Sequence, residues 1–149
     1  MRIAVIHGPN LRLLGRREPD VYGHATLDQV DAALSELAAE LGVELEIFQS
    51  NHEGEILDHL EEIMDRVQGI LINPAGLTHT SVSLRDGLAG VGLPVVEVHI
   101  SNTAAREGFR HRSLVASVAL GTVAGFGANS YLLGLRGLVA RLIEPNTES

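Results

Sequence analysis

The chain has 149 residues, enough for one domain with a sizeable core, and its 45% apolar and 20% charged residues describe a folded globule. It contains no Cys, and all eleven basic residues are Arg, which excludes disulfides, thiolate chemistry, Schiff-base catalysis and the P-loop lysine. The formal net charge of −8 opposes nucleic acid and anionic membranes as partners.

Ile3–Ile6 reads as a first strand, ended by Gly8-Pro9. Thr26 and Gln29 form a capping-box pattern that opens a helix with apolar positions at Leu27, Val30, Leu34, Leu37 and Leu41, stopped by Gly42. Val43–Phe48 reads as a second strand, Glu53–Val67 as an amphipathic helix and Gly69–Ile72 as a third strand closed by Asn73-Pro74. A helix over Ser81–Leu88, strands over Pro94–Val98 and Val118–Ala124, a helix over Asn129–Ile143 and a frayed tail at 144–149 complete the chain.

The run Ser113–Leu135 has no charged residue and no His, but its glycines at 121, 125, 127 and 134 divide it into a strand and a helix rather than a membrane span. The apolar run before Gly8 is too short for a signal-peptide core, and a cytoplasmic protein is expected.

Strands alternating with helices imply parallel pairing with right-handed crossovers. The expectation is a single α/β domain over 1–149, a flavodoxin-like doubly wound five-stranded parallel sheet of order 2-1-3-4-5. Its ligand site should lie at the carboxyl ends of the strands, where the order reverses.

Polar residues collect after the strands that meet there. The connection after strand 1, about residues 10–25, is long enough for a lid and carries Arg16, Arg17 and Tyr22. Guanidinium groups beside a phenol favour its anion and so its use as a base; the same spacing also suits a surface tyrosine beside two solvated arginines. After strand 3, Asn73 and His79 offer directional hydrogen bonds, and Thr80 or Ser81 serves as a helix cap. On strand 4, Glu97 and His99 are two apart and face one side. A carboxylate fixes an imidazole's tautomer and favours its role as general acid. Arg106, Arg110 and Arg112 follow within seven residues, a natural carboxylate clamp or else a solvated, subunit-facing charge cluster.

Other patterns fail. His52 and His59 miss zincin spacing because position 56 is Ile, so no metal site is expected. Gly125-Phe126-Gly127 lacks the third Gly of a dinucleotide fingerprint, since position 130 is Ser. Two Tyr and three Phe are few for sandwiching a flavin. The remaining inventory suits acid–base chemistry on a small polyhydroxy carboxylate, such as proton abstraction beside a carbonyl with loss of water.

His7-Gly-Pro-Asn-Leu11, Gly15-Arg-Arg-Glu-Pro-Asp-Val-Tyr-Gly23, Asn73-Pro-Ala-Gly-Leu-Thr-His-Thr-Ser81, Leu84-Arg-Asp86 and Glu97-Val-His-Ile-Ser-Asn102, with Arg106 to Arg110 after them, stand in one order over about residues 3–140. Together they resemble the type II 3-dehydroquinate dehydratases. The resemblance implies anti elimination of water from 3-dehydroquinate to give 3-dehydroshikimate through an enolate, with no cofactor. It implies Tyr22 as the base, Arg17 stabilising tyrosinate and enolate, His99 as the acid held by Glu97, and Asn10 supporting the enolate. Asn73, His79, Arg110 and the backbone at Ile100-Ser101 would hold the substrate, with Asp86 reaching a neighbouring subunit's site. It further implies a homododecamer built from trimers. His7 and Arg12 stand where many members of that family have Asn. Two other readings fit the inventory: a related hydro-lyase acting on another hydroxy acid, and a non-catalytic ligand-binding protein of the same fold.

Overall fold

A computed structural model describes residues 1–144 of the chain. The tail expected at 144–149 lies, beyond Glu144, outside the described residues. Five strands, β1 (Arg2–His7), β2 (Glu44–Gln49), β3 (Gly69–Asn73), β4 (Val95–His99) and β5 (Gly121–Ala124), form one sheet of order β2-β1-β3-β4-β5. All four pairings are parallel. The helices are α1 (Pro19–Tyr22), α2 (Leu27–Leu41), α3 (Glu53–Ile63), α4 (Val82–Val91) and α5 (Asn129–Ile143).

The two faces of the sheet are covered by different helix pairs. Ile3, Val5, Leu71, Val96 and Val98 pack under α2 and α5, while Ala4, Ile6, Ile70, Ile72 and Val95 pack under α3 and α4. This division follows the alternation of side chains along each strand. Both faces being buried explains why the central strands read as unbroken apolar runs.

The α2 capping box forms as its sequence dictates: Gln29 N–H donates to Thr26 Oγ1 at 3.2 Å, and Thr26 N–H donates to Gln29 Oε1 at 3.0 Å. Ser81 caps α4 by accepting from Leu84 N–H at 2.9 Å. That helix continues to Val91 rather than stopping near Leu88, because its terminator is Gly92 in the left-handed region, φ 68°.

Other boundaries shift for identifiable reasons. The ladder of β4 opens at Val95, since Pro94 has no N–H and contributes only its carbonyl to Ile70. Helix α3 ends at Ile63 instead of Val67, where Arg66 turns back to pair with Glu46 of β2. Strand β5 starts at Gly121 rather than Val118. Ser113 Oγ accepts from the N–H groups of Val115 and Ala116, and the chain coils into a 3₁₀ turn over Ala116–Val118. The run Ser113–Leu135 is thus a turn, an edge strand and the start of α5. Among the described residues no helix is long and apolar enough to cross a membrane.

Helix α5 lies close against the sheet because Gly134 has no side chain. A Cβ there would meet Val98 Cγ2 at 2.7 Å and Leu71 Cδ1 at 2.9 Å. Gly134→Ala should therefore destabilise the protein by about 1–3 kcal/mol through overpacking, as read by urea unfolding; an unchanged midpoint would contradict this packing.

His59 on α3 stacks on Phe48 of β2 at 3.9 Å, with its Nε2 buried and unpartnered among the described residues. Burial is the main cause that pushes its pKa below the ordinary 6.5, against the nearby carboxylates of Glu46 and Glu62. The unfolded chain then takes up a proton before the folded one, so this contribution to stability is complete above pH 6.5 and declines as pH falls below it. Unfolding measured from pH 7.5 to about 5.5 should show a shallower loss of stability in His59→Phe than in the parent chain.

Candidate active site

A cavity of about 240 Å³ opens at the carboxyl ends of β1, β3 and β4, where the strand order reverses. It is large enough for a metabolite and too small for a macromolecule.

Three loops build its walls. The first leaves β1 through Gly8, whose N–H donates to Asn73 O at 2.8 Å. A Cβ at Gly8 would lie 2.5 Å from Pro74 O, so only glycine allows the loops after β1 and β3 to touch. Asn10 follows in the left-handed region, φ 69°, and its N–H donates to Asn51 Oδ1 at 3.0 Å. Gln49 Nε2 donates to the same Asn51 oxygen and to Gly8 O, while Arg12 Nε donates to Gln49 Oε1. Arg12 thus braces the loop from outside the cavity. Gln49 and Asn51 close a strand that read only as alternating, and nothing in the sequence set them apart.

The connection over residues 10–25 folds into a 3₁₀ turn at Leu11–Leu13 and the single helical turn α1. It brings Tyr22 into the cavity wall between two guanidinium groups. Arg17 Cζ lies 5.0 Å and Arg106 Cζ 5.1 Å from the Tyr22 ring centroid. The Arg17 neighbour matches the sequence reading. Arg106 was visible only as one of a cluster, and its side chain, 12% exposed, also donates to Ser101 Oγ at 3.2 Å.

Opposite stands the Glu97–His99 pair. Glu97 is 1% exposed, and its Oε2 accepts from His99 Nε2 at 2.5 Å, so Nδ1 is the ring nitrogen left for the cavity that His99 lines. Ser113 Oγ reaches both carboxylate oxygens, at 2.8 and 3.0 Å. A buried carboxylate needs such partners. Ser113 lies 16 residues along the chain behind a run of turns, and the sequence offered no sign of this role.

Asn73, His79, Ile100, Ser101 and Arg110 line the same cavity. His79 Nδ1 donates to Arg112 O at 2.7 Å, leaving Nε2 free to accept from a ligand. Arg110, 19% exposed on its side chain, pairs with Glu107, whose carboxyl is held below its usual range chiefly by that hydrogen bond. Arg112 contributes its carbonyl and does not line the cavity. Asp86 lies outside it on α4, exposed and paired with Arg85 at 2.8 Å. Among the described residues the non-glycine positions with positive φ, Asn10, Glu18 and Ala75, all sit in the loops after β1 and β3, where backbone strain commonly marks function.

The sequence matches the family described as dehydroquinase class II over residues 1–139. It is 58% identical over 139 residues to the 3-dehydroquinate dehydratase of Desulforudis audaxviator, covering 93% of each chain. It is 54% identical to that of Geotalea daltonii, covering 93% of this chain and 96% of the relative. The crystal structure of type II dehydroquinase from Butyrivibrio crossotus superposes with a TM-score of 0.91 at 41% identity, over 93% of this chain and 97% of that one.

Ser113→Ala should remove both contacts to the buried Glu97 carboxylate and lower stability by about 1.5–3 kcal/mol, measured by chemical denaturation. A loss below about 0.5 kcal/mol would mean that solvent replaces the hydroxyl there.

Proposed function

The chain belongs to the class II dehydroquinase family, and from that membership we propose how its own residues carry out the family's reaction. The reaction is the dehydration of 3-dehydroquinate to 3-dehydroshikimate, a step of the shikimate pathway. In this reading Tyr22, as its phenolate, removes the proton at C2 and leaves an enolate. His99 then protonates the departing hydroxyl from Nδ1, and water leaves on the opposite face, an anti elimination. One proton is taken and one is given, so proton exchange with solvent resets the pair.

The single observation that carries this reading is the placement of Tyr22 between Arg17 and Arg106 in the cavity that also holds the His99–Glu97 pair. Two guanidinium groups thus flank the phenol that this reading makes the base. The same charges lie close enough to share the enolate's negative charge, the kind of preorganised field that lowers such barriers. Glu97 orients the His99 ring through Nε2 and so turns Nδ1 toward the cavity. Asn10 positions the donor or water that supports the enolate oxygen. The substrate's carboxylate and hydroxyls are taken by Asn73, His79, Arg110 and the backbone of Ile100 and Ser101. The described 1–144 then constitute one catalytic domain, with residues 10–25 as its lid.

The proposal includes a homododecamer of trimers in the cytoplasm. Its support is Asp86, which is exposed and does not line its own cavity, so that in this reading it serves the site of a neighbouring subunit.

The test is the rise of near-ultraviolet absorbance as the conjugated enone carboxylate forms from added 3-dehydroquinate. Tyr22→Phe and His99→Ala should each lower kcat by about 10²–10⁴-fold. If Tyr22→Phe keeps its rate, the reaction stands and another group is the base. If His99→Ala keeps its rate, the leaving hydroxyl is protonated elsewhere.

A further inference from the structure

Beneath the cavity floor four buried or half-buried polar groups from four elements form one connected chain. His7 ends β1 and Asn73 ends β3, directly opposite each other in the parallel register. His7 is fully buried, Asn73 is 3% exposed, and Tyr131 of α5 is fully buried beside them. The Tyr131 hydroxyl oxygen lies 2.9 Å from His7 Nδ1 and 3.0 Å from Asn73 Nδ2. On the far side, His7 Nε2 lies 2.7 Å from Asp31 Oδ1 of α2.

The chemistry of these groups permits one direction of donation. An amide nitrogen only donates, so the Tyr131 oxygen accepts from Asn73. Burial pushes the Tyr131 phenol far above its usual range, so it keeps its hydrogen. Among the described residues the acceptor within reach of that hydrogen is His7 Nδ1. Nδ1 is therefore unprotonated, and Nε2 carries the ring hydrogen and donates to the Asp31 carboxylate.

At the other end, Asn73 Oδ1 accepts from Ala75 N–H at 3.1 Å, inside a turn where Ala75 has φ 53°. The amide oxygen is thus occupied, and one amide hydrogen is spent on Tyr131. What Asn73 presents to the cavity it lines is its second Nδ2 hydrogen. Flipping the amide would turn Nδ2 hydrogens toward the Ala75 N–H and Oδ1 toward Tyr131. The Tyr131 hydrogen would then go to Oδ1 and leave His7 Nδ1 buried without a donor.

We propose that Tyr131 and His7 are positioning residues for the dehydration, locking the Asn73 side chain as a hydrogen-bond donor to a substrate hydroxyl through a one-way chain anchored on Asp31. The inference rests on the reading above that Asn73 touches the substrate. Neither Tyr131 nor His7 lines the cavity, so both act only through Asn73.

A double-mutant cycle in the enone absorbance assay tests this, using Tyr131→Phe, Asn73→Ala and the two together, each first shown to be folded by its thermal midpoint. Loss of one ordering hydrogen bond predicts that Tyr131→Phe raises KM about three- to tenfold with kcat within about twofold. In the Asn73→Ala background the same change should add no further loss in kcat/KM. His7→Asn keeps an acceptor near the place of Nδ1 and should stay within about twofold of the parent, whereas His7→Leu should reproduce Tyr131→Phe. This second pair carries the test if Tyr131→Phe does not fold. An unchanged KM in Tyr131→Phe, or losses that multiply in full in the double variant, overturns the proposal. If Asn73→Ala itself leaves KM untouched, the substrate contact at Asn73 is wrong and the proposal falls with it.

Discussion

Strands β1 and β3 lie side by side, yet the chain leaves β1 toward the face covered by α2 and α5 and leaves β3 toward the face covered by α3 and α4. That divergence opens a gap at their carboxyl ends, and Asn10, Arg17, Tyr22, Asn73, His79 and His99 border it. The gap is narrow where Gly8 passes against Asn73 and Pro74 without a Cβ between them. From this contact the two loops fan outward, one toward Arg17 and Tyr22 and the other toward His79. Because the sheet beneath is packed on both faces, the starting points of the loops are fixed even where the loops themselves are exposed.

The polar groups of the site stand on that rigid base at a real energetic cost. Glu97 and Asn73 follow buried aliphatic residues, Val96 and Ile72, along their strands. Each is tolerated because it has buried hydrogen-bond partners: Glu97 has His99 and Ser113, and Asn73 has Tyr131 and Ala75 and keeps one Nδ2 hydrogen for the cavity. A satisfied buried network holds its members in one arrangement, which is what acid–base chemistry requires of its donors and acceptors. The loops add strain of their own at Asn10, Glu18 and Ala75, consistent with a backbone set for function rather than for ease of folding.

Charge is arranged against the molecule's average. The whole chain carries −8, but Arg17, Arg106 and Arg110 converge on one cavity. A cationic pocket in an anionic surface concentrates field at its mouth and selects a small anion over a polyanion. The arginine-only usage suits this arrangement. A guanidinium can lie over the Tyr22 ring and still donate in its own plane, as Arg106 does to Ser101.

Much of this was legible in the order of residues. The alternation of apolar runs with amphipathic stretches fixes a parallel doubly wound sheet, because few topologies are open to strands joined by helices. The period of two along β4 sets Glu97 and His99 on one side, and Thr26, Gly42 and Ser81 mark helix ends by their own local chemistry. Pairings across the chain were not legible, because sequence spacing carries no distance between residues far apart in number. Ser113 holding Glu97, Arg106 beside Tyr22, Asn51 holding Asn10 and Tyr131 joining His7 to Asn73 each bring together groups from separate elements. The sequence by itself determined the fold and the chemical inventory, since both follow from local propensity and periodicity. Only the tertiary structure decided which donors meet which acceptors, since that depends on how the sheet's twist and the helices' packing direct each loop.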